Sequence, residues 1–194
     1  MVERVGGRYV CAMTHPTDSV PALLALLQVE REQLLAQFAA IPVDQRAVAD
    51  GAGGWSAAQI IEHVARVEGN VARMIAKGAE LPLTATFDER QAGLLTDTRI
   101  RWVRERTTKV DAPERVRPAV GFTPDDALAQ VRASRAAVLE AFTAADPAVL
   151  DGVIVPHPFI GPLTLRAWME LIAHHDARHA EQMTALRHAL MHSR

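Results

Sequence analysis

The sequence predicts an all-α protein: a four-helix bundle with a long crossover segment between helices 2 and 3. Three observations carry this expectation. Four long segments repeat apolar residues at the helical period, no stretch alternates convincingly as a strand, and 194 residues at 49% hydrophobic supply one domain's core. Residues 18–190 are expected to form that domain, preceded by an irregular N-terminal arm over 1–17 that shows no sustained period and holds a "THPTD" turn.

The first helix begins at Asp18 or Ser19 with Pro21 in its first turn. "SVPALLALLQVEREQLLAQFAAI" sets Leu23, Leu27, Leu34 and Phe38 on one face and leaves Glu30, Arg31 and Gln37 to water. Pro42 and "DGAGG" then break the chain. The second helix, "WSAAQIIEHVARVEGNVARMIAKG", takes Ser56 as its N-cap and Gly78 as its stop, with an apolar stripe through Ile60, Val64, Val67, Val71 and Met74. Glu62, Arg66 and Arg73 are directed elsewhere, whereas His63 lies in the apolar half. Residues 79–122 hold several prolines and little periodicity, which predicts a long excursion with one or two short helices, one of them over 97–107. The third helix opens on the cap Thr123, with Pro124 and acids in its first turn, and runs through Leu128, Val131, Val138 and Phe142. A Pro/Gly-rich connection, "PAVLDGVIVPHPFIGPLT", leads to the fourth helix, which Thr164 starts and which ends near residue 190.

Composition excludes several classes of function. No run of 18 apolar residues occurs and the N-terminal residues do not read as a secretory signal, so the expected setting is cytoplasmic, with no membrane partner. Cys11 is the only cysteine, which rules out an internal disulfide. A formal charge of −2 removes the broad attraction to phosphate backbones, so no nucleic-acid partner is expected. The run "RIRWVRERTTK" gathers Arg99, Arg101, Arg104, Arg106 and Lys109 around Trp102; in so arginine-rich and lysine-poor a chain it reads first as a solvated face. An anionic thiol cofactor could still use one of these arginines if the excursion folds over the site.

The chemistry-bearing stretch is "AHHDARHAEQ", residues 173–182. On a helix, His175 and His179 lie one turn apart on one face, which lets both imidazoles reach a common ion, and Gln182 follows on that face. Trp168 and Leu171 precede them on the same side, so the face points inward. His174 sits about 100° round the helix and is expected at the border or in solvent. Two ligands hold a divalent ion weakly, and His63 is the candidate third, from the other helix whose inward stripe carries a histidine. "HDARH" also has the spacing of the zinc-protease helix. That reading fails because Asp176 is a methylene shorter than the glutamate base and Ala185 stands where a further ligand would be needed. Spacing alone leaves two readings open, a metal site or three unrelated hydrogen-bonded histidines.

Three pieces of the chain resemble the DinB-like (DinB/YfiT) superfamily of metal-dependent enzymes: "GGWSAAQIIEHVARVE" at 53–68, "APERVRP" at 112–118 and "HPFIGPLTLRAWMELIAHHDARHAEQM" at 157–183. The resemblance spans residues 20–190 and is most specific in its C-terminal piece. It implies a four-helix bundle binding one divalent metal through His63, His175 and His179, with Gln182 in the glutamine position of an H-x-x-x-H-x-x-Q helix. It also implies a thiol S-transferase or a hydrolase, a small-molecule electrophile or thiol substrate, a low-molecular-weight thiol such as bacillithiol, and a homodimer. Zinc or nickel is the expected ion, and three imidazoles also accept iron or manganese. Gln182 is a candidate to support a ligand or touch the pocket, the alternative being an ordinary polar helix residue. The alternative is a non-catalytic, stress-associated helical-bundle dimer with a structural or sensory metal. Trp55 is read as a packing anchor at the helix entry, His157 as a loop residue at the pocket rim, and His188 and His192 as solvent-facing.

Overall fold

The structure is a computed structural model that describes residues 3–5, 8–10, 19–49, 54–107, 110–119 and 121–192. Four long helices form the predicted bundle: α1 (Val20–Ala39), α2 (Ala57–Gly78), α5 (Pro124–Ala144) and α7 (Leu165–His192). α2 packs against α5, α1 against α7, and α2 also against α7. Their starts are chemically fixed. Ser19 accepts from Ala22 N, Ser56 and Gln59 form a reciprocal capping box, Thr123 and Asp126 form another, and Thr164 Oγ1 accepts from Ala167 N. Gly78 is needed for a reason other than a left-handed stop. It is the last residue of α2, and Leu165 Cδ1 would stand 2.6 Å from any Cβ added there.

Between α2 and α5 the expected excursion folds into two short helices, α3 (Phe87–Ala92) and α4 (Asp97–Arg104), and a 3-10 turn at Glu114–Val116. Buried Leu95, Val103 and Val116 anchor it. α4 packs on α7, so the crossover lies across the bundle. The connection before α7 departs from expectation. It contains a short helix, α6 (Pro147–Gly152), and a hairpin of β3 (Ile154–His157) with β4 (Gly161–Thr164), paired from Ile154 opposite Thr164 to His157 opposite Gly161. Pro156 and Pro162 face each other in this isolated ladder, where missing amide donors cost no neighbouring strand a bond. Gly161 supplies the positive φ of 82° that closes the loop. In the N-terminal segment, expected to be irregular, β1 (Glu3–Val5) pairs antiparallel with β2 (Arg8–Val10). Cys11 and Lys109 lie outside the described residues.

The buried charges also depart from expectation. Glu30 and Arg31, expected to be wet, are each 6% exposed, and Glu62 is fully buried. Arg31 of α1, Glu68 of α2, Arg135 of α5 and Asp176 of α7 form a closed ring, one residue from each long helix. Arg31 Nη2 meets Glu68 Oε1 at 2.9 Å and Arg31 Nε meets Asp176 Oδ2 at 2.9 Å; Arg135 reaches the same two oxygens at 2.7 Å each. Ser134 Oγ donates to Glu68 Oε2, and Arg31 and Arg135 donate to the carbonyls of Val131 and Leu27. Burial pushes the Glu68 carboxyl up from its ordinary value while the two guanidiniums pull it down. The ring separates two apolar clusters. One holds Leu23, Leu27, Val71, Val138 and Ile172; the other holds Leu34, Phe38, Val64, Val131 and Met183.

Two cations and two anions balance within the ring, so deleting one member strands a desolvated charge. Glu68→Ala is therefore expected to lower unfolding free energy by about 3–5 kcal/mol, whereas replacing all four residues by apolar ones of similar volume keeps stability near wild type. Urea denaturation of the two variants checks both outcomes.

Candidate metal centre

α2 and α7 bring His63, His175 and His179 together, with one ligand atom from each lying within 4.8 Å of the others. His63 Nε2 is 3.2 Å from His175 Nε2, and His179 Nε2 is 3.1 Å from it. Two nitrogens held about 2.0–2.1 Å from one zinc ion at the tetrahedral angle lie about 3.3 Å apart, so this spacing suits a shared ion.

Proton placement makes the fit more specific. His63 Nδ1 is 2.8 Å from Val116 O, and His179 Nδ1 is 2.8 Å from Gln182 Oε1. Both oxygens only accept, so both rings carry their proton on Nδ1 and turn an Nε2 lone pair toward His175. His175 in its neutral form has one proton, which can serve only one of the two facing lone pairs. A cation at the convergence point satisfies all three rings. Gln182 thus orients the ring of His179, and a main-chain carbonyl from the crossover does the same for His63. Sequence reading could not find Val116, because a carbonyl leaves no trace in residue type.

The rings are suited to staying neutral. Burial pushes His63 down to about 4 against the opposing hydrogen bond to Val116, with the Arg178 charge adding to the drop. Burial also lowers His175 and His179 well below the ordinary histidine value, aided by their histidine neighbours and Arg178. Neutral imidazole is the form that ligates a metal.

Neighbouring residues divide sharply by face. Trp55 packs against His63 with its ring tilted by 46° at a centroid distance of 4.8 Å, consistent with a packing anchor. Asp176 points into the charged ring and away from the histidines, so it has no part in ligation. His174, expected at the border, is buried between α4 and α1, where its Nδ1 meets Arg104 Nη1 at 3.0 Å and Glu30 shares the same guanidinium. His188 and His192 are exposed.

The three histidines line a cavity of about 940 Å³. His175 is partly exposed, while His63 and His179 are each 5% exposed. The hairpin places His157 and Phe159 on the wall, held by Trp168 Nε1 donating to Val155 O at 3.0 Å. The crossover supplies Trp102 and Arg106. His157 Nδ1 accepts from Phe159 N, so its proton sits on Nε2; burial, then the nearby Arg115 charge, pushes its pKa down to about 4. It is a neutral donor at the cavity wall.

An α-helical bundle whose second and last long helices present three imidazoles to an open cavity carries a donor set that could hold a divalent ion. The chain matches the DinB superfamily over residues 18–183, and it belongs to that family. It is similar to the uncharacterized protein YuaE of Bacillus subtilis (strain 168), with 24% identity over 136 residues covering 69% of this chain and 77% of that one. It also resembles the solved structure of TT2238, a four-helix bundle protein, at 23% identity and a TM-score of 0.56, covering 86% of this chain and 98% of the other; this likeness concerns the fold.

Protein purified without a histidine tag is expected to carry one divalent ion per chain by elemental mass spectrometry. His63→Ala, His175→Ala and His179→Ala each abolish it, and Gln182→Ala weakens affinity by about tenfold or more. In the metal-free protein, His63 stays neutral at pH values where the unfolded chain, titrating near about 6.5, takes up a proton. Stability is therefore complete above that pH and declines as pH falls toward 4, by an order of 3 kcal/mol from this ring. Urea titrations at pH 7 and pH 5 check the direction, and His63→Gln is expected to flatten the dependence.

Proposed function

We propose that this chain is a divalent-metal-dependent enzyme acting on a small molecule, of thiol S-transferase or hydrolase type, with His63, His175 and His179 holding the ion. The observation that carries the reading is the convergence of three neutral imidazoles on a large, open cavity. A structural ion is closed off by four protein ligands, whereas three ligands leave a position for water or substrate. Bound there, zinc, nickel, iron or manganese would supply Lewis acidity that lowers the pKa of a water or a thiol.

The chain's own residues provide position and environment. Val116 O and Gln182 Oε1 fix the rings of His63 and His179, and Trp55 shields one face of His63. His157, protonated on Nε2, offers a hydrogen bond rather than a base. A cavity of about 940 Å³ lies at the large end for small-molecule sites, with room for a low-molecular-weight thiol such as bacillithiol beside an electrophile. The volume admits a larger hydrolase substrate equally well, and transfer is the reaction that brings a thiol to the site. In that reaction the thiol gives up its proton, its sulfur bonds to the electrophilic carbon, and the leaving group departs with the electron pair.

Metal-loaded protein is expected to conjugate a chromogenic aryl halide to a low-molecular-weight thiol and to lose turnover in His175→Ala. Full metal loading without turnover on any thiol or ester panel would overturn the enzymatic reading and favour a structural or sensory ion.

A further inference from the structure

Cations differ in whether a carboxylate or only a carbonyl holds them. Outside the cavity, Arg31 and Arg135 pair with Glu68 and Asp176, Arg66 with Glu62, Arg104 with Glu30, and Arg166 with Asp151. Arg178 and Arg106, which line the cavity, are held by main-chain carbonyls, as Arg46, Arg90, Arg99 and Arg117 are elsewhere. Arg178 Nη1 donates to the carbonyls of Val103, at 3.1 Å, and Glu105, and Arg106 Nη1 donates to Glu181 O at 3.1 Å. Neutral main-chain acceptors orient both guanidiniums without neutralising them, and neither forms an ion pair among the described residues. Burial, then the charge of Arg106, pushes Arg178 down from its ordinary value against the opposing charge of Glu181, and both arginines act electrostatically on His179. They stand beside each other and beside the metal centre.

The rest of the wall shares this bias. Among the described residues, Arg73, Lys77 and Arg115 also line the cavity, against Glu105 and Asp111 as acids, in a chain whose formal charge is −2. A concave surface with one sign of charge concentrates ligands of the other sign. A row of rings runs along the same wall. Trp102 lies 5.9 Å from Phe159, Phe159 lies 5.8 Å from His157, and His157 lies 5.1 Å from Trp168. Trp102 is 38% exposed and Phe159 46%, so apolar ring surface remains uncovered within the cavity.

We infer that the cavity binds an amphipathic organic anion, with its acidic group between Arg106 and Arg178 and its planar apolar body along the row from Trp102 to Trp168. Guanidiniums recognise an oxyanion through paired charge-assisted donors, and the rings contribute stacking area. The inference rests on reading this cavity as the place where substrate meets the metal centre, and it narrows that substrate to a class.

The test is fluorescence titration with a matched pair of probes, 8-anilinonaphthalene-1-sulfonate and N-phenyl-1-naphthylamine, which share a ring skeleton and differ by the sulfonate. Wild type is expected to bind the anion about tenfold or more tightly than the neutral probe, a preference that weakens with added salt. Arg106→Gln removes most of the preference at unchanged affinity for the neutral probe; Arg178→Gln, which also unties α4 from α7, is read by the ratio of the two affinities, which falls toward one. Trp102→Ala weakens both probes. Equal affinities in wild type, or a preference that survives the Arg106→Gln/Arg178→Gln double variant, overturns the proposal. Circular dichroism confirms that each variant is folded, and elemental analysis of the same samples reports metal content, so failure of the anion subsite is distinguishable from failure of the metal reading.

Discussion

Four buried charges set the geometry on which the site depends. Arg31, Glu68, Arg135 and Asp176 come one from each long helix, and each cation touches both anions. Apolar side chains tolerate sliding of one helix past another, because one methyl contact substitutes for another. A desolvated ion pair does not, since a shift of one residue leaves a charge unpaired in a low-dielectric core. The ring therefore pins all four helices at one height. Asp176 follows His175 directly and precedes His179 by less than one turn, so α7 cannot meet the ring without also fixing both histidines on its other side.

The histidine cluster is the second consequence of that register. Glu68 and His63 lie little more than one turn apart on α2, so seating Glu68 in the ring brings His63 level with His175 and His179. The crossover completes the arrangement from outside the bundle. Val116 O takes the proton-bearing nitrogen of His63, and Glu62 accepts from Ala119 N on the same segment. Arg178 then ties the end of α4 to α7 through the carbonyls of Val103 and Glu105. A segment with little periodicity of its own thus becomes the wall of the cavity, placed by hydrogen bonds to the helices that carry the ligands.

Much of this was legible in the sequence, and the unread parts have physical reasons. Periodicity and caps located the four long helices because amphipathic phase and Ser or Thr caps are local signals. The i, i+4 spacing identified His175 and His179, and helical phase put His63 inward. Residue type misled the reading at Arg31 and Glu30, which were assigned to water by their charge. Phase argued otherwise: Arg31 follows Leu27 by four and precedes Leu34 by three, and Glu68 between Val64 and Val71 and Arg135 between Val131 and Val138 repeat that spacing. The charged ring was thus encoded at core positions of three helices and became visible only when the partners were brought together. The β3–β4 hairpin escaped because prolines at facing positions interrupt the alternation by which short strands are recognised. The cavity wall escaped because it is assembled from the crossover, the hairpin and α7, and no local pattern joins them.

The claim that unites these features is that three ring nitrogens from two helices converge to hold one divalent ion. X-ray absorption spectroscopy at the edge of the bound metal tests it most directly. Three converging histidines give a first shell dominated by nitrogen, with the multiple-scattering signature of about three imidazoles at about 2.0–2.1 Å if the ion is zinc. A shell with one imidazole or none, or an ion whose spectrum is unchanged in the His63→Ala protein, would contradict it.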